Sequence, residues 1–154
     1  MGMMQIVDFQ PDHAAAFKAL NVAWITRYFA IEPKDLEVLG DPMGKIIAPG
    51  GHILMAVEDG AAIGCVALMA MKDGGLEVAK MAVTEAHKGR GIGRALMAAC
   101  IDKARSAGAP RLYLETNSTL APALGLYRRF GFQQIEPAEP SPYVRADVVM
   151  ELRL

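Results

Sequence analysis

A glycine-rich turn with basic residues is the segment of this sequence best suited to chemistry. Three glycines alternate there with charged and apolar residues in the string 88–94, which reads Lys-Gly-Arg-Gly-Ile-Gly-Arg. Glycine lets backbone amides approach a ligand closely, and free N–H groups at the start of a following helix attract negative charge. Basic side chains disfavour a helix N-terminus unless an anion is bound there. The turn therefore predicts a binding site for a phosphate or pyrophosphate.

Two familiar phosphate-binding motifs do not fit this turn. The P-loop string GxxxxGK[ST] does not occur in the sequence. The dinucleotide fingerprint GxGxxG needs a third Gly or Ala where Arg94 or Leu96 stands. Glu115 does follow the glycine turn by about as many residues as the ribose-binding acid of that fingerprint does. A nicotinamide-dependent oxidoreductase therefore remains the third-ranked hypothesis.

The turn resembles the pyrophosphate-binding motif of the GNAT acetyltransferases, written Q/R-x-x-G-x-G/A, with Lys88 in place of the usual Gln or Arg. Asn117 followed by residues 123–132 is similar to the second motif of that family, a tyrosine-bearing helix that leads into a Gly-Phe strand entry. The resemblance covers residues 4–154 in element order. It implies an α+β fold with a mixed, mostly antiparallel sheet of six or seven strands, about four flanking helices, and a splayed strand pair that forms the acyl-CoA cleft.

The same resemblance implies acetyl-CoA as cosubstrate, no metal, and direct acetyl transfer to an amine in a ternary complex. The pantetheine arm would lie between residues 77–83 and 111–116, against the backbone of Met81 and Val83. The residues expected to contact acetyl-CoA are Met81, Ala82, Val83, Lys88, Gly89, Arg90, Gly91, Ile92, Gly93, Arg94, Asn117, Leu124 and Tyr127.

Two residues are the predicted catalytic groups, and each has a structural alternative. Tyr127 matches the tyrosine that the family uses as general acid, but it also suits the apolar face of an amphipathic helix. Glu77 matches a glutamate that draws a proton from the amine, but a solvated or hairpin-paired Glu fits equally well. Strand alternation predicts Glu77, Ala79, Met81 and Val83 on one face. Asn117 is either a ligand of the pantetheine arm or a turn residue.

The acceptor-binding residues predicted from the resemblance are Arg27, Tyr28, Glu32, Glu77 and Tyr143. Acidic side chains suit a cationic amine, and Arg27 suits a carboxylate such as that of an amino acid. A small molecule such as an amino acid or a polyamine is the favoured acceptor. A protein or peptide N-terminus and a non-catalytic acyl-CoA sensor are the alternatives.

The surrounding elements are predicted from periodicity and turn residues. Apolar spacing predicts helices over 13–29, 33–39, 91–107 and 120–130, with a loop over 40–51. Strands are predicted over 4–9, 52–58, 61–71, 76–83, 111–116, 132–135 and 147–152. The Asp59-Gly60 pair between two apolar runs is a strong hairpin signal.

Composition narrows the class of protein. The chain has 154 residues, enough for one domain over 1–154, and 16 basic against 17 acidic residues give a net charge of −1. That balance provides no general attraction for nucleic acid or a membrane surface. Cys65 and Cys100 form no CxxC pair and are predicted to be buried thiols. No basic leader precedes an apolar run, so we expect a cytoplasmic protein, with a homodimer possible through an edge strand.

Overall fold

A seven-stranded sheet forms the centre of the computed structural model, which describes residues 3–154. Its strands are β1 (Gln5–Asp8), β2 (His52–Glu58), β3 (Ala61–Ala70), β4 (Leu76–Val83), β5 (Arg111–Thr116), β6 (Gln133–Ile135) and β7 (Val148–Arg153). The spatial order is β1-β2-β3-β4-β5-β7-β6, and every neighbouring pair is antiparallel except β4 and β5. The predicted α+β class with a mixed, mostly antiparallel sheet is confirmed.

Helices cover both faces of this sheet. They are α1 (Ala14–Tyr28), α2 (Pro33–Leu39), α3 (Ile92–Ser106) and α4 (Ala121–Arg129), with short 3-10 turns at Pro11–His13 and Glu85–His87. The loop predicted over 40–51 is partly wrong, because Met43–Ile47 forms a π-helical turn. Asp41 accepts a hydrogen bond of 3.0 Å from the backbone N–H of Gly44 there, and Ile46 is fully buried. None of the helices described within residues 3–154 is long and apolar enough to cross a membrane.

Two apolar cores stabilise the fold, one on each face of the sheet. The larger core packs α3 through Leu96, Met97 and Cys100. The smaller core packs α1 and α2 through residues such as Phe17 and Leu39. Both cysteines are free and buried, as predicted. Burial of this apolar surface is the main force that holds the helices on the sheet.

The hairpin predicted between β2 and β3 is present. Asp59 and Gly60 both have positive φ angles, 53° and 79°. Two such residues in succession are typical of the turn whose twist matches that of the flanking strands. The three strands β2, β3 and β4 follow one another as an antiparallel meander.

β4 contains a bulge at Lys80. Ala79 lies opposite Ala67, whereas Ala82 lies opposite Cys65, so β4 has one residue more than β3 in this stretch. Lys80 has a φ of 55°, in the left-handed region that costs a residue with a side chain about 1–2 kcal/mol. Contacts of the lysine side chain, described below, offset that cost.

The bulge reverses which residues face which core. Glu77 and Ala79 lie on the face covered by α1, where they pair with residues of the smaller core. Met81 and Val83, beyond Lys80, pack against the larger core under α3. The prediction that all four residues share a face is therefore wrong, because the extra residue shifts the alternation by one.

The strands β4 and β5 separate shortly after they pair. Their parallel ladder consists of Leu76 with Leu112, Glu77 with Tyr113 and Val78 with Leu114. Beyond this ladder β4 keeps β3 on one side, and on its other side no strand among residues 3–154 pairs with it. The predicted splayed pair is thus present, and one edge of the β4 backbone borders the resulting gap.

Candidate active site

The gap between β4 and β5 widens into a cleft of about 390 Å³. Its walls come from β4, the glycine turn, the end of β5, α1 and α4. Residues 78–83 run along one wall, and Trp24 and Ile25 of α1 form another together with Phe29, the residue after that helix. The cleft therefore connects the glycine turn with the face of the sheet that carries Glu77.

The glycine turn is open at the start of α3. Gly89 and Gly91 have φ angles of 81° and 77°, and a Cβ added at either position would meet no atom within 4 Å. Gly91 is the residue before α3, whose first residue is Ile92. Free backbone N–H groups at this helix start therefore border empty space that a pyrophosphate would fill. Gly89, Gly91, Ile92 and Gly93 line the cleft, and this geometry fits acetyl-CoA.

The basic residues of the turn are held by acidic neighbours. The Nζ of Lys88 lies 2.8 Å from a carboxylate oxygen of Glu85 and contacts the hydroxyl of Tyr28. Arg90 donates a hydrogen bond of 3.1 Å to Glu58. The Lys88 and Arg90 side chains are 39% and 47% exposed, and surface ion pairs contribute only about 0–1 kcal/mol each. Lys88 lines the cleft, whereas Arg90 and the exposed Arg94 lie outside its wall.

Tyr127 lies on α4 and lines the cleft. Its ring packs 6.0 Å from that of Phe132. Within the described residues its hydroxyl has no hydrogen-bond partner, yet no buried side-chain polar atom there is unsatisfied. The hydroxyl is therefore not sealed in the core but opens towards the cleft. Burial of the ring raises the pKa of Tyr127 to about 12, so the group stays protonated at neutral pH.

Glu77 and Glu115 form an acidic pair on the α1 side of the cleft. Glu77 is paired with Tyr113 across β4 and β5, and Glu115 follows two residues later on the same face of β5. Hydroxyl groups of Tyr113 and Ser141 donate to Glu115 at 2.9 and 2.6 Å. Burial, with the charge of Glu115, raises the pKa of Glu77 to about 7, against the opposing effect of Lys80. Glu77 therefore exchanges protons near neutral pH.

A buried polar cluster joins α2, β4 and the segment before β7. Lys80 donates to Asp35 at 2.7 Å and to the Tyr143 hydroxyl at 3.0 Å. Arg145 donates to both oxygens of Asp35, at 2.8 and 2.6 Å, and to Glu32 at 3.2 Å. Although burial alone raises the pKa of Asp35, hydrogen bonds from Arg145 and Lys80 hold it well below its usual range. We call Asp35, Glu32, Lys80, Tyr143 and Arg145 the ionic cluster.

Lys80 was not singled out from the sequence as a site residue. The one local signal for Lys80 is a lysine in a strand whose other residues, apart from Glu77, are apolar. In the structure its side chain is 5% exposed. Asp35 is completely buried on a short helix, and its partners are far away in the chain. Lys80, Tyr143 and Arg145 line the cleft beside the acidic pair.

Asn117 is a turn residue that also lines the cleft. Its side-chain oxygen accepts a hydrogen bond of 2.8 Å from the N–H of Thr119, and its amide donates to the carbonyl of Arg145 at 2.6 Å. The turn alternative is therefore what the structure displays, and a contact with the pantetheine arm stays a prediction. Leu124, in contrast, is buried in the larger core with 7% exposure and does not line the cleft, so its predicted contact is not supported.

Three residues predicted to bind the acceptor lie outside the cleft wall. Arg27 pairs with Glu85 at 3.0 Å, and Tyr28 donates to the same carboxylate at 3.2 Å. Glu32 caps α2 and accepts from the backbone of Val144 at 3.0 Å. Of the acceptor residues predicted, Glu77 and Tyr143 line the cleft.

Comparison with known proteins adds independent evidence. The model of the acetyltransferase (GNAT) family matches residues 14–132. An uncharacterised N-acetyltransferase of Schizosaccharomyces pombe is 34% identical over 106 residues, which are 68% of this chain and 65% of that protein. The streptothricin acetyltransferase of Streptomyces lavendulae is 46% identical over 57 residues, 37% of this chain and 30% of that protein. The IAA acetyltransferase of Azospirillum brasilense is 38% identical over 93 residues, 60% and 61% of the two chains. The matched part is thus under two thirds of each of these relatives.

Solved structures share the fold over nearly the whole chain. A GNAT-family acetyltransferase of Staphylococcus aureus superposes with a TM-score of 0.88 at 16% identity, and covers 98% of this chain and 99% of its own. YncA of Salmonella typhimurium, whose structure holds its cofactor acetyl-CoA, superposes with a TM-score of 0.76 at 21% identity over 98% and 94% of the two chains.

Proposed function

Because this chain belongs to the GNAT acetyltransferase family, we propose that it transfers an acetyl group from acetyl-CoA to the primary amine of a small-molecule acceptor. The observation that carries this proposal is one cleft that joins the open glycine turn to Glu77 and Tyr127. At neutral pH Glu77 is partly ionised and can accept a proton, whereas Tyr127 is protonated and can donate a hydrogen bond, which is what amide formation from a thioester requires. Acetyl-CoA, when bound, supplies the activated acetyl group.

The glycine turn and the edge of β4 are the elements proposed to hold acetyl-CoA. Backbone N–H groups of residues 89–93 bind the pyrophosphate, and Lys88 leaves Glu85 to add a positive charge. The unpaired edge of β4 at residues 81–83 hydrogen-bonds the pantetheine arm and polarises the thioester carbonyl. Asn117 borders the same path.

Glu77 is the proposed base. In its ionised form it accepts a proton from the ammonium group of the acceptor, which leaves a nucleophilic nitrogen. The C–N bond then forms at the carbonyl carbon while the C–S bond breaks, and the nitrogen gives up its second proton, which the departing thiolate takes up to become CoA thiol. The proton held by Glu77 passes to solvent. A pKa of about 7 suits this task, because the carboxylate is populated at neutral pH and is still basic.

Tyr127 is the proposed acid. Its hydroxyl, which opens onto the cleft, donates a hydrogen bond to the leaving sulfur. A phenol with a pKa of about 12 is a weaker acid than a thiol near 8.5. Tyr127 therefore assists the departing thiolate by a hydrogen bond and keeps its own proton. The loss of one such donor typically lowers turnover by about 10²-fold or more.

The test follows release of CoA with a thiol reagent across amino acids, polyamines, aminoglycosides and short peptides. Wild type is compared with Tyr127→Phe and Glu77→Gln, and calorimetry measures acetyl-CoA binding for each. Glu37→Gln is the matched control, because Glu37 is an exposed residue of α2 outside the cleft. We expect both site variants to bind acetyl-CoA and to turn over at least about tenfold more slowly.

The alternatives predict different results in the same assay. A non-catalytic acyl-CoA sensor binds acetyl-CoA but releases no CoA with any acceptor. A peptide N-terminal acetyltransferase turns over only the peptides of the panel. Absence of acetyl-CoA binding contradicts all three.

A further inference from the structure

We infer that the acceptor is a cationic amine that carries no carboxylate next to its reacting nitrogen. This inference rests on the proposed acetyl transfer and specifies the chemical class of the amine. It follows from how the charges on the α1 side of the cleft are already paired.

The positive groups at this side of the cleft are occupied. Arg145 gives its two terminal nitrogens to Asp35 and one of them also to Glu32. Lys80 is bound to Asp35 and to the hydroxyl of Tyr143. Because Asp35 is fully buried and accepts from both cations, a substrate carboxylate has to compete with it to bind either.

The negative groups beside them are not neutralised in this way. Within residues 3–154 neither Glu77 nor Glu115 has an ion-pair partner, although Lys80 lies near enough to influence Glu77. The partners of Glu115 are the neutral hydroxyl groups of Tyr113 and Ser141. When Glu77 is ionised, this side of the cleft therefore has an excess of negative charge that attracts a cation and repels a carboxylate.

An aromatic wall in the same cleft as the acidic pair also suits a cation. Trp24 lines the cleft, and its ring is 5.2 Å from that of Tyr28 and 5.9 Å from that of Phe29. Tryptophan attracts an ammonium or guanidinium group over its ring face more strongly than other aromatic residues do. Tyr143 already has Lys80 at 4.5 Å and Arg145 at 4.6 Å from its ring centre, so Trp24 is a better candidate than Tyr143 for contact with a cationic ligand.

The experiment measures binding to the complex with CoA, in which no acetyl transfer takes place. Calorimetry at pH 7.5 compares matched ligands: arginine with argininamide and agmatine, lysine with cadaverine, and tyrosine with tyrosinamide and tyramine. Members of a set share their side chain and differ in the carboxylate. We expect at least one amide or decarboxylated amine to bind at least about tenfold more tightly than its amino acid.

A charge-altering variant supplies the second arm. Asp35→Asn removes the carboxylate that Lys80 and Arg145 share, so we expect the preference for the ligand without carboxylate to decrease severalfold. Asp73→Asn is the control, since Asp73 pairs with Arg111 outside the cleft and its loss leaves the preference unchanged. Thermal melting establishes that each variant is folded. If Asp35→Asn does not fold, the wild-type comparison decides alone.

The results separate this inference from the proposed function. Tighter binding of an amino acid than of its amide, equal binding, or no binding by any ligand overturns the inference. If the amines bind as expected but release no CoA from acetyl-CoA, the inference stands and the proposed transfer fails. If CoA is released with amino acids alone, transfer stands and the inference fails.

Discussion

The ammonium group of Lys80 lies 2.7 Å from the carboxylate of Asp35, and this contact joins the β4 bulge to α2. The two side chains are 5% and 0% exposed, so water does not weaken their attraction as it does at the surface. Lys80 is also the residue of β4 with left-handed backbone geometry. The ion pair therefore anchors the strained residue that directs Glu77 and Met81 to opposite faces of the sheet.

Lys80→Met breaks this buried pair and is expected to lower the free energy of unfolding by about 3 kcal/mol. Urea denaturation monitored by circular dichroism measures the change. Lys45→Met is the control, because Lys45 pairs with Glu37 at the surface and its loss is expected to cost less than about 1 kcal/mol. Equal effects of the two substitutions contradict the anchoring role of Lys80.

The pH dependence of activity tests Glu77 as the base. Its pKa is raised to about 7 by burial and by Glu115, and the ionised form is the active one. We therefore expect kcat/KM for the acceptor, measured at saturating acetyl-CoA, to fall about tenfold per pH unit below pH 7. In Glu77→Gln this limb disappears and the remaining rate is low at every pH. If the variant keeps the decrease in kcat/KM below pH 7, a group other than Glu77 causes that decrease.

Glu77→Gln is also expected to stabilise the protein at alkaline pH. The pKa of Glu77 is about 7 in the folded state instead of the usual 4.5. Between these pH values the carboxyl group ionises more readily in the unfolded state, so raising the pH favours unfolding. The loss amounts to at most about 3 kcal/mol and is complete above pH 7. We expect the variant to exceed wild type in unfolding free energy at pH 8 and to match it near pH 4.5.

Glu37→Gln provides the control for this pH effect. The pKa of Glu37 is lowered by Lys45 and Lys34 at the surface, so its removal acts in the opposite direction. If both substitutions increase the stability at pH 8, the increase comes from the loss of a negative charge in general and not from the burial of Glu77.

The sequence predicts correctly those parts of the fold that depend on short, local signals. Asp59-Gly60 requires two positive φ angles, and the structure has them. The glycine turn stands at the start of α3 because Gly91 adopts a geometry that other residues avoid. The strand and helix order follows from periodicity, which burial of the two cores enforces.

The bulge and the contacts that join the ionic cluster could not be predicted, because they depend on segments that are far apart in the chain. Asp35 and Arg145 are 110 residues apart, and only the folded sheet brings them together. The alternation of β4 looks continuous in the sequence, and lysine is not a residue that signals positive φ. Helical spacing also does not tell which side of α4 meets the core, and Leu124 lies on that side.

Gly91→Ala tests whether the glycine turn holds the phosphates. Alanine at a φ of 77° is strained, and its Cβ would project into the empty space where the pyrophosphate is proposed to lie. We expect the dissociation constant of acetyl-CoA, measured by calorimetry, to increase at least about tenfold, while the unfolding free energy falls by about 1–2 kcal/mol.

Gly108→Ala separates the strain from the loss of the site. Gly108 ends α3 with a φ of 75°, and a Cβ there also meets no atom within 4 Å, but the residue lies outside the cleft. Its backbone cost is therefore similar to that of Gly91→Ala, and acetyl-CoA binding should not change. If both substitutions weaken binding equally, the effect of Gly91→Ala comes from general destabilisation. If neither does, the pyrophosphate does not approach the turn at Gly91, because a methyl group at that position would have excluded it.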